Sequence, residues 1–290
     1  MEQNFFHSRR CPICSRLCSI SNPALLSPFI MHRLFGYGFI QINKKWKLRD
    51  FKKGNSYYPC ESVFCKSCNF LFSGLRFNDL QMSQIYKGYR KNKYNSLRKL
   101  YEPDYIKKIT LLKKKYNYLD EIENYILKHI KFLPKKILDY GGDEGKNTPF
   151  QKKVKSFDIF DISGVKIESK LKKNITVSKI EKKKYDLTIC AHVIEHTPKI
   201  YSFLNNIKKK VKSKYFYFEV PFEKIMFNSG ETNFSYQKNK KFWHEHVNFF
   251  SIKSLKKLFF LTGFKIVNIE SKEIKESNHV SIIRTIVKKK

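Results

Sequence analysis

The chain has 290 residues, with 59 Lys plus Arg against 25 Asp plus Glu, a formal net charge of +34 and a hydrophobic fraction of 41%. That is long enough for one full-sized domain plus a smaller one, and apolar enough to exclude wholesale disorder. No stretch reaches 18 apolar residues, because "ALLSPFIMHRLFGYGFI" is interrupted by His32 and Arg33, and "MEQNFFHSRR" lacks the apolar run of a secretory signal; a cytoplasmic protein without a membrane span is expected.

So large a charge invites a nucleic-acid reading. Its texture points elsewhere. Only nine of the basic residues are Arg, and none lies between Arg98 and Arg284. Phosphate readers favour Arg for its planar, bidentate fork. Lys spread evenly beside abundant Ile, Asn, Phe and Tyr reads instead as compositional bias on solvated surfaces.

In chain order, residues 1–95 hold six of the seven cysteines, several turn signals and little clean periodicity. Cys11-x-x-Cys14 and Cys65-x-x-Cys68 form two knuckles, the pattern of a tetrahedral four-thiolate zinc site. Such a site would be structural, since four thiolates leave no open position, and it would offset the poor burial of so small a module. Cys18 and Cys60 are spare ligands, and Cys190 reads as core. Reduced, unmetallated thiols are the other reading; disulfides are not expected in the cytoplasm.

Residues 96–134 read as a helical linker. After Pro103, "DYIKKITLLKKKYNYLDEIENYILKHIKFLP" places Ile106, Ile109, Leu112, Tyr116, Leu119, Ile122, Ile126 and Ile130 on one stripe, with Asp104 as N-cap. Residues 135–290 then alternate short apolar strands (135–140, 156–161, 185–190, 214–220) with helices (198–212 and 251–263). Ser251 caps the second helix and Gly263 stands just past its end. "FKIVNIE" and "VSIIRTIVK" finish as strands, predicting a mostly parallel sheet that ends in an antiparallel hairpin.

The first chemistry lies in "ILDYGGDEG". A strand ends at Asp139 and is followed at once by Gly141, Gly142 and Gly145, which allow positive φ and close approach of backbone to a ligand. About twenty residues on, the next strand ends at Asp161, placed to accept hydrogen bonds from a ribose diol.

This spacing resembles the class I S-adenosylmethionine-dependent methyltransferases, whose first motif D-x-G-x-G-x-G stands here as Asp139-Tyr-Gly141-Gly-Asp143-Glu-Gly145, with Asp143 in place of the middle glycine. "YDLTICAHVIEHTPKI" is similar to the same family. The resemblance implies an α/β chain with a Rossmann-like seven-stranded sheet behind a small N-terminal zinc-knuckle domain. It puts Asp139, Gly141, Gly142, Asp143 and Gly145 against the methionine part of the cofactor, Asp161 on its ribose and Ser178 to Ile180 beside its adenine. The order of zinc knuckles, "CKSCNFLFSGL", "IYKGYR", methyltransferase core, "EVPFE" and "WHEHVNFFS" further resembles the sugar C-methyltransferases acting on nucleotide-linked keto-deoxysugars. Two departures stand out: Trp243 replaces the tyrosine usual before H-E-H, and the chain stops after its last strand. The short zinc-bearing methyltransferases of surface-polysaccharide gene clusters are similar too.

The triplet His244-Glu245-His246 therefore carries the chemical question. Metal is the weakest reading, because adjacent residues rarely converge and nothing at helical spacing completes a set. C-methylation needs a base beside the methyl donor, and the resemblance implies Glu245 and His246 as that pair, with His196 at the enolate oxygen. In the alternative, the loop is structural: Ser251 caps a helix and the phenylalanines fill the core. His192 reads as a strand-end residue. Two other functions stay open: an RNA methyltransferase holding phosphate with the knuckles and lysines, and a non-enzymatic cofactor-fold protein, for which Asp143 is the only support.

Overall fold

The computed structural model describes residues 6–89, 91–104, 118–154, 157–162, 175–177, 183–227, 239–274 and 280–290. In the N-terminal zone, strands β1 (Ile20–Leu26), β2 (Pro59–Cys65) and β3 (Phe70–Ser73) pair antiparallel, with helices α1 (Pro28–Phe35), α2 (Asp79–Tyr86) and α3 (Asn92–Tyr101) beside them. Helix α4 (Leu119–Ile130) leads into the main sheet: β4 (Ile137–Tyr140), β5 (Phe157–Phe160), β6 (Ile175–Val177), β7 (Lys184–Ala191), helix α5 (Ile200–Lys210) and β8 (Lys212–Phe222). Two short strands follow, β9 (Phe242–Trp243) and β10 (Asn248–Phe249), then helix α6 (Ile252–Leu261), β11 (Phe264–Ile274) and β12 (Val280–Lys289).

The main sheet runs β6-β5-β4-β7-β8-β12-β11. Its first five strands are parallel, and β12 is antiparallel to both β8 and β11. Parallel strands are covered on both faces, and alternate residues serve the two sides. Leu138, Phe216 and Phe218 pack with α5 and α6 through Leu204, Ile207, Leu255, Leu258 and Phe259. Ile137, Leu187, Ile189 and Tyr217 pack with Ile122, Ile126 and Ile130 of α4. Helix α6 begins in a reciprocal cap: Ser251 accepts from Ser254 N–H, while the Ser254 hydroxyl accepts from Ser251 N–H. Of the long stripe expected after Pro103, α4 is the described part; residues 105–117 lie outside the described residues, as do Ser178 to Ile180.

The expected boundary at residue 95 does not isolate the cysteine zone. Its sheet runs β9-β1-β2-β3-β10, so both edge strands come from 242–249, far along the chain. One apolar cluster joins Cys11, Cys65, Cys68, Phe70 and Phe72 to Cys190, Ile194, Phe216, Phe218 and Phe250 of the main sheet and its loops. Among the described residues, no helix is long and apolar enough to cross a membrane.

Candidate functional site

The carboxyl edge of the parallel sheet gathers the predicted ligand-binding residues, where such sheets bind ligands. Gly141 follows β4 with φ of +85°, and a Cβ there would meet Val193 Cγ2 at 2.4 Å; a Cβ on Gly142 would meet the Asp139 carboxyl carbon at 2.6 Å. Both positions thus exclude any side chain. Gly141 N–H donates to Phe160 O at 2.6 Å, tying the turn to β5, and Gly145 N–H donates to Gly142 O at 2.8 Å. Asp143, standing where a glycine was expected, takes the glycine-like φ of +51°, a left-handed conformation Asp tolerates better than most residues. Its N–H donates to Asp161 Oδ2 at 3.0 Å, so the carboxylate after β5 faces the turn. Asp139 is buried and accepts from the Thr148 hydroxyl. Burial pushes its carboxyl up to about 7 against the opposing pull of Thr148.

The triplet lies between β9 and β10 and sends its three side chains to three different partners. His244 Nδ1 meets Glu102 Oε1 at 2.8 Å. Glu245 receives both contacts of Arg98 Nη2, at 2.8 and 2.9 Å, while Arg98 Nε donates to Glu102 at 2.8 Å. Burial alone would raise Glu245, but Arg98 reverses this and holds the carboxyl well below its usual range. Arg98 thus anchors the carboxylate of Glu245, the residue expected as half of a base pair. His246 turns toward the loop after β7, its ring 4.5 Å from that of His196 and its Nδ1 3.9 Å from Glu223. Burial and then His196 push it below the usual histidine range, so it is the neutral, accepting imidazole.

His196 Nδ1 lies 2.6 Å from Tyr86 Oη and 3.2 Å from the carbonyl oxygen of Glu245. Tyr86 Oη can donate to Nδ1 or accept from it, so either ring nitrogen of His196 can carry the proton. The loop is tightly tied: Val247 N–H donates to Glu195 O at 2.9 Å, and Asn248 Nδ2 donates to Ile194 O and Thr197 O at 2.9 and 2.7 Å. Trp243, where a tyrosine was expected, is fully buried and donates to Ser62 Oγ at 2.8 Å.

A methyltransferase-domain family profile matches residues 112–269, more than half of the chain. The chain belongs to this family. It is a methyltransferase. No curated protein sequence matches it. Among solved structures, it is similar to the Burkholderia thailandensis 1,6-didemethyltoxoflavin-N1-methyltransferase with bound 1,6-didemethyltoxoflavin and S-adenosylhomocysteine, at 12% identity and a TM-score of 0.46 over 68% of this chain and 90% of that one. An S-adenosylmethionine-dependent methyltransferase from Clostridium acetobutylicum matches at 14% identity and 0.43, over 68% and 99%. The magnesium protoporphyrin IX methyltransferase of Synechocystis, with bound S-adenosylhomocysteine, matches at 12% identity and 0.42, over 59% and 82%.

In this turn Gly141 and Gly142 pack their bare main chain against Val193 and Asp139, and the Asp161 carboxylate accepts the Asp143 N–H across it, an arrangement compatible with S-adenosylmethionine. The four cysteine sulfurs Cys11, Cys14, Cys65 and Cys68 lie within 4.8 Å of one another, with Cys11–Cys68 at 3.9 Å and Cys14–Cys65 at 3.8 Å. Sulfurs at zinc-bond length on a tetrahedron stand about 3.8 Å apart, so the donor set fits a closed four-thiolate site. Cys60 lies in a different apolar cluster, and Cys18 donates weakly to Arg16 O at 3.6 Å; neither joins the four. Sequence reasoning missed Tyr86, Arg98, Glu102 and Glu195 as site residues. Arg98 and Glu102 did carry a signal, an i,i+4 opposite-charge pair on α3.

Proposed function

We propose that this methyltransferase alkylates a sugar, nucleotide-linked and carrying a ketone, at the carbon beside the carbonyl, in surface-polysaccharide synthesis. The arrangement that supports this reading is His246, its ring 4.5 Å from that of His196, on a loop tied to the turn after β7 at the same carboxyl edge of the sheet as the glycine turn. When bound, S-adenosylmethionine supplies an electrophilic methyl on its sulfonium. The main chain of 141–145 and the carboxylate of Asp161 grip its methionine and ribose ends, with Asp139 and Thr148 fixing the turn from beneath. His246 takes the proton from the acceptor carbon. His196, Tyr86 and the Arg98–Glu245 anchor hold that ring in place, and alignment supplies most of the rate.

His246→Ala tests the assignment. Transfer of a labelled methyl to a panel of nucleotide keto-sugars should fall by a factor of roughly 10² or more, while cofactor Kd by calorimetry stays within a few-fold. Unchanged transfer sinks the base; lost cofactor affinity makes the loop structural.

We assign zinc to Cys11, Cys14, Cys65 and Cys68 as a structural ion. Hydrogen bonds led by Cys11 pull the Cys65 thiol below its ordinary value. Cys65→Ser should release the ion and lower Tm; a metal-free native chain with unchanged Tm overturns this.

One observation favours RNA as a second acceptor. The ribbon of Ile40–Ile42 and Gly54–Ser56 presents half-exposed Trp46 and Phe51 among Lys44, Lys45, Lys52 and Lys53, the mixture that stacks bases and tracks phosphates. A steep salt slope of RNA binding supports it, and a flat one removes it.

A further inference from the structure

Outside the cysteine cluster, one other group of ligating side chains converges among the described residues: Glu195, His196 and His246 bring one ligand atom each to within 4.8 Å of the others. We infer that they form a site for a single divalent first-row transition-metal ion of the zinc class. The site stands on geometry and does not depend on which acceptor is methylated.

Glu195 supplies the argument. It is 1% exposed, on the short turn that follows β7, and neither carboxylate oxygen has a hydrogen-bond partner. A buried carboxylate left in that state is costly, and each such group calls for an explanation. The rings nearest it are His192 Nδ1 at 3.4 Å and His196 Nε2 at 3.8 Å, neither in hydrogen-bonding geometry. His192 also faces Glu219, with Nε2 at 3.0 Å from Oε1, so it serves a second carboxylate. With its Nδ1 on Tyr86 Oη, His196 turns Nε2 toward Glu195, and a cation between that nitrogen and the buried carboxylate would satisfy both.

The donor chemistry agrees. Two imidazoles and one carboxylate form a set that binds zinc or iron and leaves positions open for water or an acceptor oxygen. Ligand atoms at zinc-bond length stand about 3.4 Å apart on a tetrahedron, against 3.8 Å between Glu195 and His196, a gap that small side-chain rotations close. The far nitrogen of His196, Nδ1, is already held by Tyr86 Oη at 2.6 Å and the Glu245 carbonyl oxygen at 3.2 Å, the kind of partner that orients metal-binding histidines. Metal was the weakest reading of the triplet because nothing at helical spacing completes a set; the residues that could complete one lie fifty residues upstream.

Ligation uses the lone pair through which His246 would take a proton. Zinc in excess of the thiolate site should therefore inhibit methyl transfer, reversibly with EDTA; this consequence alone rests on the base role proposed above.

The deciding experiment is a Co²⁺ titration of the full-length, EDTA-treated protein, followed by absorption. The expected result is one equivalent whose spectrum lacks thiolate-to-cobalt charge transfer, separate from any equivalent at the cysteines. Glu195→Gln and His246→Gln should each abolish it while sparing the thiolate band, which reports an intact fold. Tyr86→Phe should weaken it about 10- to 100-fold. Absence of a non-thiolate equivalent in the unsubstituted protein overturns the site, whatever the variants do, as does an equivalent indifferent to both Gln variants. Cobalt bound without inhibition of transfer keeps the site and overturns the base role of His246.

Discussion

Arg98→Met tests whether the triplet is held electrostatically. The substitution keeps much of the stem, and so most of the contact with Phe29, whose ring centre lies 4.9 Å from the guanidinium carbon. It removes the group that binds Glu245 at 2.8 and 2.9 Å and Glu102 at 2.8 Å, with 5% of the Arg98 side chain exposed. Stripping one partner from a buried pair strands a charge and costs about 3–5 kcal/mol. Two carboxylates are affected, but Glu102 retains His244 at 2.8 Å and the Ser27 hydroxyl, so the expected loss stays within that range. Urea unfolding of the full chain, read by tryptophan fluorescence, measures it, because Trp243 is fully buried two residues from Glu245. Adding Glu245→Gln should recover about 2 kcal/mol of the loss, since the stranded charge is then gone. The pH sign follows from the depressed Glu245: its stabilisation is complete above the unfolded value of about 4.3 and drains as pH falls below it. Arg98→Met should flatten that acid limb. A loss under about 1 kcal/mol with an additive double mutant refutes the reasoning, because the pair would then behave like a surface salt bridge.

Gly141→Ala forces a Cβ to 2.4 Å from Val193 at a φ of +85°; strain of about 1–3 kcal/mol should appear in Tm, and calorimetry should register at least roughly tenfold weaker cofactor binding. Asp143→Gly relieves a left-handed Asp but loosens the unfolded chain, so stability should move by less than about 1 kcal/mol and cofactor Kd by only a few-fold. A large gain in affinity would mean that the aspartate obstructs the site. For Asp139, the native state keeps its proton up to about 7, whereas the unfolded chain releases it near about 3.9. Stability therefore falls as pH rises between those values, and Asp139→Asn should remove that fall, by at most about 4 kcal/mol, seen as urea midpoints of the two proteins converging or diverging between pH 5 and 7.5.

The parallel strands were legible because burial on both faces writes a continuous apolar run, as in Ile137–Leu138 and Leu187–Cys190, and because glycines punctuate their ends. Helix α6 announced itself through Ser251, whose cap is a local hydrogen bond. The five-stranded sheet left no such trace. Its strand β1 carries Ser21, Asn22 and Pro23, which read as a turn, and its edges are two-residue strands from 242–249 whose pairing is a matter of long-range register. The same distance hid Glu195: its neighbours in space are His196, visible in sequence, and His246, fifty residues on. Local pattern locates the glycine turn; tertiary register decides what stands opposite it.

That register also links the cysteine cluster to the chemistry. Cys65 ends β2, β2 pairs with β3, and β3 pairs with Asn248–Phe249, two residues past His246. On its other edge, β1 pairs with Phe242–Trp243, just before the triplet. The H-E-H segment is therefore a bridge whose two abutments are the outer strands of the cysteine-bearing sheet, while Val247 and Asn248 fasten its end to the 194–197 turn. A four-residue loop pinned at both ends has few conformations left, so its entropy is spent by the fold before any acceptor arrives. This gives the N-terminal zone a reason to share a core with the methyltransferase sheet: what it stabilises is the placement of the H-E-H segment against the 194–197 turn, which a separately folded module on a linker would not do.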